Sequence, residues 1–204
     1  MTDTRAKIAG VVLAGGQARR MGGSDKGLVS IAGKTLVEYA LSALRSVVDE
    51  TIINANRNHL EYERFGYPVV ADASSSFDGP LAGILSAMRH CNADYLLTVP
   101  CDCPLMDSST LQTMVAALDA EPAECLVAND GVRLHPVVLL LDCRLQNSLE
   151  GYLASGERKI DRWFKNHHWR SVDFSDRPDV FRNINTPEEL AMVEKRFLGN
   201  NGTR

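Results

Sequence analysis

The stretch that decides the reading is Ile8-Ala9-Gly10-Val11-Val12-Leu13-Ala14-Gly15-Gly16-Gln17-Ala18-Arg19-Arg20-Met21-Gly22-Gly23-Ser24-Asp25-Lys26. Its first six residues form a near-continuous apolar run of strand length, which is how a parallel strand covered on both faces reads. The chain then passes at once into a loop of four glycines with Arg19, Arg20 and Lys26 inside eight residues. In an open parallel sheet, ligands sit beyond the carboxyl ends of the strands. Glycines there let the backbone approach a ligand and present its N–H groups. Guanidinium and ammonium groups beside them suit a polyphosphate, arginine as a bidentate donor and lysine as a point charge.

Two commoner phosphate loops are excluded. The dinucleotide pattern G-x-G-x-x-G is absent, because the glycines come as adjacent pairs, Gly15-Gly16 and Gly22-Gly23. Gly33-Lys34-Thr35 imitates the end of a P-loop, but the first glycine that motif needs falls at Leu28.

Outward from the loop, strand and helix signals alternate. Val37, Ala40, Leu41 and Leu44 have helical spacing; residues 51–54 and 67–71 read as the second and third strands. Gly79-Pro80 opens a helix with Leu81, Ile84, Leu85 and Met88 on one face. Residues 95–99 form a fourth strand, and Asp107-Ser108 caps the next helix. In the second half, residues 124–128 and 136–141 flank the turn signal Asn129-Asp130-Gly131, which predicts an antiparallel connection. Helical segments follow over 145–153 and 160–167. Thr186-Pro187-Glu188-Glu189 is a capping box that starts a last helix, ending near Phe197. The expected architecture is α/β: helices on both faces of a mostly parallel central sheet, with an antiparallel addition. One domain over 1–204 is expected, with a nucleoside-triphosphate-binding half over 1–120, an acceptor-binding half over 121–198 and a flexible tail over 199–204.

Composition narrows the partners. The 204 residues are 45% hydrophobic and 24% charged with a net charge of −4, which is globular and too acidic for general binding to nucleic acid. A small anionic substrate on a local basic site fits better. No stretch reaches the ~18 apolar residues of a membrane span. The first apolar run is too short for a secretory signal, so the expected location is the cytoplasm. Five cysteines, with one Cys101-x-Cys103 and no second pair, make neither a disulfide nor a zinc framework.

Asp102 directly follows the fourth strand and should reach the same crevice. Magnesium is commonly held by one or two protein carboxylates plus substrate phosphates and water; position alone also suits a turn or capping aspartate. Asn54, Arg57 and Asp72 lie at the ends of strands two and three. A carboxylate at Asp72 could accept from the ring N–H and amino group of guanine, whereas an Asx turn is the plain alternative. Asp25 is a weaker metal candidate that could instead orient Lys26 or Arg20. His135 reads as an extended rim residue and His167-His168 as solvated.

The string L-A-G-G-x-x-x-R-M-G-x-x-D-K resembles the signature of nucleotidyltransferases with a three-layer α/β/α, Rossmann-like, glycosyltransferase-A-like fold, in the version of the molybdenum cofactor guanylyltransferases. Asn54-Ala55-Asn56-Arg57, Gly79-Pro80-Leu81-Ala82-Gly83, Cys101-Asp102-x-Pro104, His135-Pro136 and Asn183-x-Asn185-Thr186-Pro187 extend the resemblance, in order, to about residue 195. It implies a magnesium-dependent transfer of GMP from GTP to the terminal phosphate of molybdopterin or the molybdenum cofactor. Leu13, Ala14, Gly15, Gly16, Lys26, Asn54, Asp72, Gly79, Pro80 and Asp102 would bind GTP. Arg19, Lys26 and Asp102 would be catalytic, with Asp102 on Mg2+. Arg158, Lys159, Asn183 and Asn185 would contact the acceptor. The resemblance further implies a monomer whose partners are molybdenum-insertion proteins and apo-molybdoenzymes or their chaperones. The alternatives are a cytidylyltransferase or sugar-phosphate nucleotidyltransferase of the same fold, or a non-catalytic cofactor-delivery protein.

Overall fold

A computed structural model describes residues 5–15, 25–72 and 79–200. In chain order the elements are β1 (Ile8–Leu13), β2 (Ser30–Ile31), β3 (Lys34–Thr35), α1 (Leu36–Leu44), β4 (Glu50–Asn54), α2 (His59–Glu63), β5 (Val69–Val70) and α3 (Pro80–His90). There follow β6 (Tyr95–Pro100), α4 (Ser108–Ala120), β7 (Cys125–Asn129), β8 (Leu134–Asp142), α5 (Gln146–Ala154), α6 (Ile160–Phe164), β9 (Trp169–Asp173) and α7 (Pro187–Asn200). Seven strands make one sheet in the order β5-β4-β1-β6-β8-β7-β9. Only β8 is antiparallel to its neighbours; every other pair is parallel. The carboxyl ends of β1, β4, β5, β6, β7 and β9 therefore share one edge.

Alternation along β1 explains its central place. Val12 faces a core with α1 and α4, which includes Val37, Leu44, Leu111 and Met114. Ala9 and Val11 face a second core with Leu81, Ile84, Leu149, Trp163 and Phe164, drawn from α3, α5 and α6. Helices thus cover both faces, giving the expected three layers. Side chains of this size contribute about 1.5–3 kcal/mol each when fully buried, so both faces bind the sheet firmly. A smaller cluster of Ile31, Leu36, Ile184 and Val193 ties α7 to the β2–β3 hairpin. Among the described residues no helix is long and apolar enough to cross a membrane.

Local chemistry sets the helix starts. Gly79 has φ +74°, a conformation that favours glycine, and Pro80 takes the first helical position of α3. The Asp107 carboxylate accepts from Thr110 N at 2.9 Å and caps α4. Thr186 and Glu189 exchange capping-box bonds at the start of α7, Glu189 N to Thr186 Oγ1 at 3.2 Å and Thr186 N to Glu189 Oε2 at 3.0 Å. A second capping box, Thr35 with Glu38, starts α1, so the P-loop look-alike is the turn and second strand of the β2–β3 hairpin running into a helix.

Several boundaries differ from expectation. The third strand shortens to Val69–Val70, and the predicted helix over 160–167 ends at Phe164, leaving a turn before β9. The strand β9 and helix α2 were not anticipated. The last helix continues through Gly199 to Asn200, correcting the expected start of a tail at 199; residues 201–204 lie outside the described residues.

Candidate active site

Backbone bonds carry the ladder past the strand ends and fix the crevice. Ala14 N donates to Asn54 O at 2.8 Å, Ala55 N to Val70 O at 3.0 Å and Cys101 N to Leu13 O at 3.2 Å. Leu13 ends β1, Ala14 is buried behind it, and Gly15 is the last described residue before the glycine-rich loop. Gly16 and Arg19, like Arg20, lie outside the described residues.

The loop's far end returns to the same edge. Lys26 opens a short 3-10 turn, Lys26–Leu28. Its Nζ lies 2.6 Å from Asp102 Oδ2 and 2.8 Å from Asn185 Oδ1. The Lys26 and Asp102 side chains are only 16% and 18% exposed, so the pair is partly shielded from the screening that weakens surface ion pairs. Asn183 Nδ2 reaches the same Asp102 oxygen at 3.4 Å, and Ile184 N donates to Asp102 O at 2.9 Å. Three segments remote in sequence therefore meet at one lysine and one carboxylate.

Cys103 supports this meeting point. Its thiol donates to Asn183 Oδ1 at 3.0 Å, with Phe181 O a longer approach at 3.7 Å. Burial, with the neighbouring Asp102 charge, pushes the Cys103 thiol well up, which keeps it a donor. Cys101 is likewise buried and raised by burial. Both are core thiols.

Arg20 lies outside the described residues, and Asp25 engages the turn that begins at Lys26. It caps the 3-10 turn through Gly27 N at 3.2 Å and accepts from Tyr62 OH at 2.6 Å and Asn58 Nδ2 at 2.9 Å. Burial and this bond to Asp25 raise the Tyr62 hydroxyl far above its ordinary range. The helix α2 thus supplies the residue that anchors the start of the lysine turn.

A second polar cluster lies at the ends of β4 and β5. Asn54, 3% exposed, donates through Nδ2 to Asp72 Oδ1 at 2.9 Å and to Val70 O at 3.1 Å. Asn56 Nδ2 donates to Asp72 Oδ2 at 2.8 Å, and Asn56 Oδ1 accepts from Asp72 N at 2.8 Å. Helix α3 presses on this cluster: a Cβ on Gly83 would fall 2.2 Å from Asn54 Oδ1. Glycine is therefore required there by close approach. Gly79 and Pro80 start that same helix.

The remaining candidates divide. Asn183 and Asn185 join Lys26 and Asp102, whereas Arg158 and Lys159 sit in the turn between α5 and α6. There Arg158 Nη1 donates to Leu153 O and Glu157 O, both at 2.8 Å, and Lys159 O accepts from Tyr152 OH at 2.9 Å. His135, on β8, stacks on Phe181 with ring centroids 4.3 Å apart and meets Asp130 Oδ2 at 2.7 Å. Bonds from Arg133 N and then His135 hold the Asp130 carboxyl down at about 2. Sequence reasoning gave no role to Asn56 beyond its motif, nor to Asn58, Tyr62 or Cys103. The N-x-N spacing was the one available signal, since alternate residues of an extended segment face the same way.

Among the described residues no three His, Cys, Asp or Glu side chains gather as a metal site. Asp102 offers one carboxylate at the strand ends, its Oδ2 facing Lys26 and its Oδ1, among the described residues, meeting the Cys103 sulfur at 3.8 Å.

Known proteins carry the same arrangement of chain. A model of the MobA-like NTP transferase domain matches residues 10–172. A molybdenum cofactor guanylyltransferase from Shewanella loihica is 51% identical over 189 residues, 93% of this chain and 96% of that one. One from Shewanella pealeana is 49% identical over 184 residues, 90% and 92% of the two chains. Among solved structures, molybdopterin-guanine dinucleotide biosynthesis protein A from Archaeoglobus fulgidus superposes with a TM-score of 0.79 at 22% identity, covering 94% of this chain and 99% of that one. With a family match over most of its length and relatives near half identity, the chain belongs to the MobA-like NTP transferases.

Proposed function

We propose that the chain transfers GMP from GTP to the terminal phosphate of molybdopterin or the molybdenum cofactor, releasing pyrophosphate. The observation that carries this reading is the convergence of Lys26, Asp102 and Asn185 at the strand ends, on the sheet edge that also ends in the Asn54–Asn56–Asp72 cluster. A cation fit for phosphate beside a carboxylate, with a second carboxylate fit to accept from a base on the same edge, supports it. The names of the Shewanella relatives favour this acceptor and nucleotide over a sugar phosphate or CTP.

The acceptor needs little activation. A phosphate monoester has its second pKa near ~6 and is largely dianionic at neutral pH. The chain's task is then alignment of acceptor and α-phosphorus, and compensation of charge on the leaving pyrophosphate. Lys26 takes the phosphates, with Arg19 and the Gly15-Gly16 backbone as partners. Asn183 and Asn185 hold the acceptor side against Asp102. A lone carboxylate with a weakly engaged oxygen suits magnesium, which takes its other ligands from phosphates and water; Asp102 would hold it, and when bound it supplies neutralising charge at the phosphates. Arg158 and Lys159 would bind the second substrate's phosphate.

Pyrophosphate release measured with GTP, CTP and ATP, each against molybdopterin and a sugar phosphate, tests the proposal. GTP with molybdopterin should be the productive pair. Turnover with CTP or a sugar phosphate instead would select the alternative transferase. No pyrophosphate from any pair would refute catalysis and leave a cofactor-delivery protein.

A further inference from the structure

We infer that Asn56, without touching the nucleotide, fixes the hydrogen-bonding face of Asp72 and thereby sets selectivity for guanine. The inference rests on the reading of Asp72 as the residue that accepts from the base.

A carboxylate can only accept. Guanine offers it two adjacent donors, the ring N1–H and the 2-amino group; hypoxanthine offers N1–H alone, and adenine offers no such pair. Gripping both donors requires the two carboxylate oxygens to be held in one plane and at one angle. An aspartate at the end of a two-residue strand has no packing of its own to do this. Asn54 and Asn56 provide it. They lie two apart on the extended end of β4, so their amides face the same neighbour, and each donates to a different Asp72 oxygen, at 2.9 and 2.8 Å.

The two amides are not equivalent. Asn54 also donates to Val70 O, a bond indifferent to where the carboxylate points. Asn56 closes a ring with Asp72: its Nδ2 donates to the carboxylate and its Oδ1 accepts the Asp72 backbone N–H, both at 2.8 Å. Exchanging the Asn56 oxygen and nitrogen would set donor against donor and acceptor against acceptor, so one orientation alone satisfies both bonds. Asn56 Nδ2 also lies 3.5 Å from Gly15 O, at the mouth of the phosphate loop. The base-reading carboxylate is thereby referenced to the segment that holds the phosphates. Among the described residues each Asp72 oxygen has one lone pair engaged by an asparagine, which leaves it a second that can take the base.

The test is equilibrium binding of GTP, inosine triphosphate and ATP to the full chain with magnesium present and no acceptor, for the wild type, Asn56→Ala, Asn56→Asp and Asp72→Ala. The wild type should prefer GTP to inosine triphosphate about tenfold or more, the value of one hydrogen bond to a charged acceptor. Both Asn56 variants should bring that ratio to within about threefold while inosine triphosphate binding changes less. A purely structural loss would weaken both nucleotides alike and leave the ratio intact. Asn56→Asp keeps the acceptor for Asp72 N and replaces only the donor, so it supplies the same ratio if Asn56→Ala does not fold. Wild-type selectivity in either Asn56 variant, with Asp72→Ala non-selective, overturns the inference alone. Unchanged GTP:ATP and GTP:inosine triphosphate ratios in Asp72→Ala overturn the underlying reading, and the inference with it.

Discussion

Gly83→Ala sets two physical effects of opposite sign against each other. Gly83 lies in the first turns of α3, and by helix propensity alone alanine stabilises such a position by ~1 kcal/mol. The structure reverses the expectation. The added Cβ would stand 2.2 Å from Asn54 Oδ1, 2.7 Å from Asn54 Cγ and 3.1 Å from Leu13 Cδ2. Asn54 is 3% exposed and too short to bend away, so its amide must leave Val70 O and Asp72. A neutral hydrogen bond contributes about 1 kcal/mol and one to a carboxylate about 1.5–3. After the propensity gain, the net loss is about 1.5–3 kcal/mol. For a chain of 204 residues, at roughly 2–4 °C per kcal/mol, the thermal midpoint should fall by about 3–12 °C. Differential scanning calorimetry reads this, and GTP titration of the folded fraction should show weakened binding as well. A midpoint equal to or above that of the wild type would refute the reasoning, because propensity would then have won.

Other outcomes follow from the same contacts. Asp102→Ala should abolish turnover while circular dichroism shows that the fold survives; retained activity with magnesium would remove Asp102 from the chemistry. Burial alone would raise the Asp107 carboxyl, but the Thr110 N–H and hydroxyl with Arg177 and Ser109 lower it to about 2 from an ordinary 3.8. Its contribution should therefore be complete above pH 4 and vanish as pH falls through 2. Asp107→Ala should be destabilised by ~1 kcal/mol at pH 6, a value discounted for its exposure, and indistinguishable from wild type in urea near pH 2. Cys91 Sγ lies 3.9 Å from Cys143 Sγ, and the Cys143 thiol, donating to it, lowers Cys91 to about 7 against the opposing effect of burial. Iodoacetamide should label Cys91 first, with a rate rising through pH 7, ahead of Cys125, which burial pushes up to about 12; peptide mapping showing Cys125 modified as fast would contradict this.

What the sequence disclosed and what it hid have physical reasons. Ile8–Leu13, Gly79-Pro80, Asp107 and the Thr186 box announce themselves because period, φ preference and capping are local. The strand β9, Trp169-Arg170-Ser171-Val172-Asp173, hides because it is an edge strand with only Val172 buried, so no alternation marks it. The β2–β3 hairpin is too short to have a period, β5 was read but at more than its two-residue length, and α2 is mostly polar with Tyr62 its one buried residue. Asp102 was readable as a crevice residue from its place after β6. Its ion pair with Lys26 was not, because 76 positions separate them. The partners of Asp25 were hidden for a related reason: Asn58 and Tyr62 come from the cap and the body of a helix the sequence concealed.

The bond from Lys26 to Asn185 spans 159 positions, and this bears on the order in which the molecule is made. A nascent chain that has just completed β9 possesses every strand of the sheet and both helical layers except α7. It lacks residues 183–185, so Lys26 is still without Asn185 and Asp102 without Asn183. Truncation ahead of Asn183 should therefore leave the lysine and the carboxylate without their asparagine partners, so the segment after β9 completes the polar cluster and not only the core.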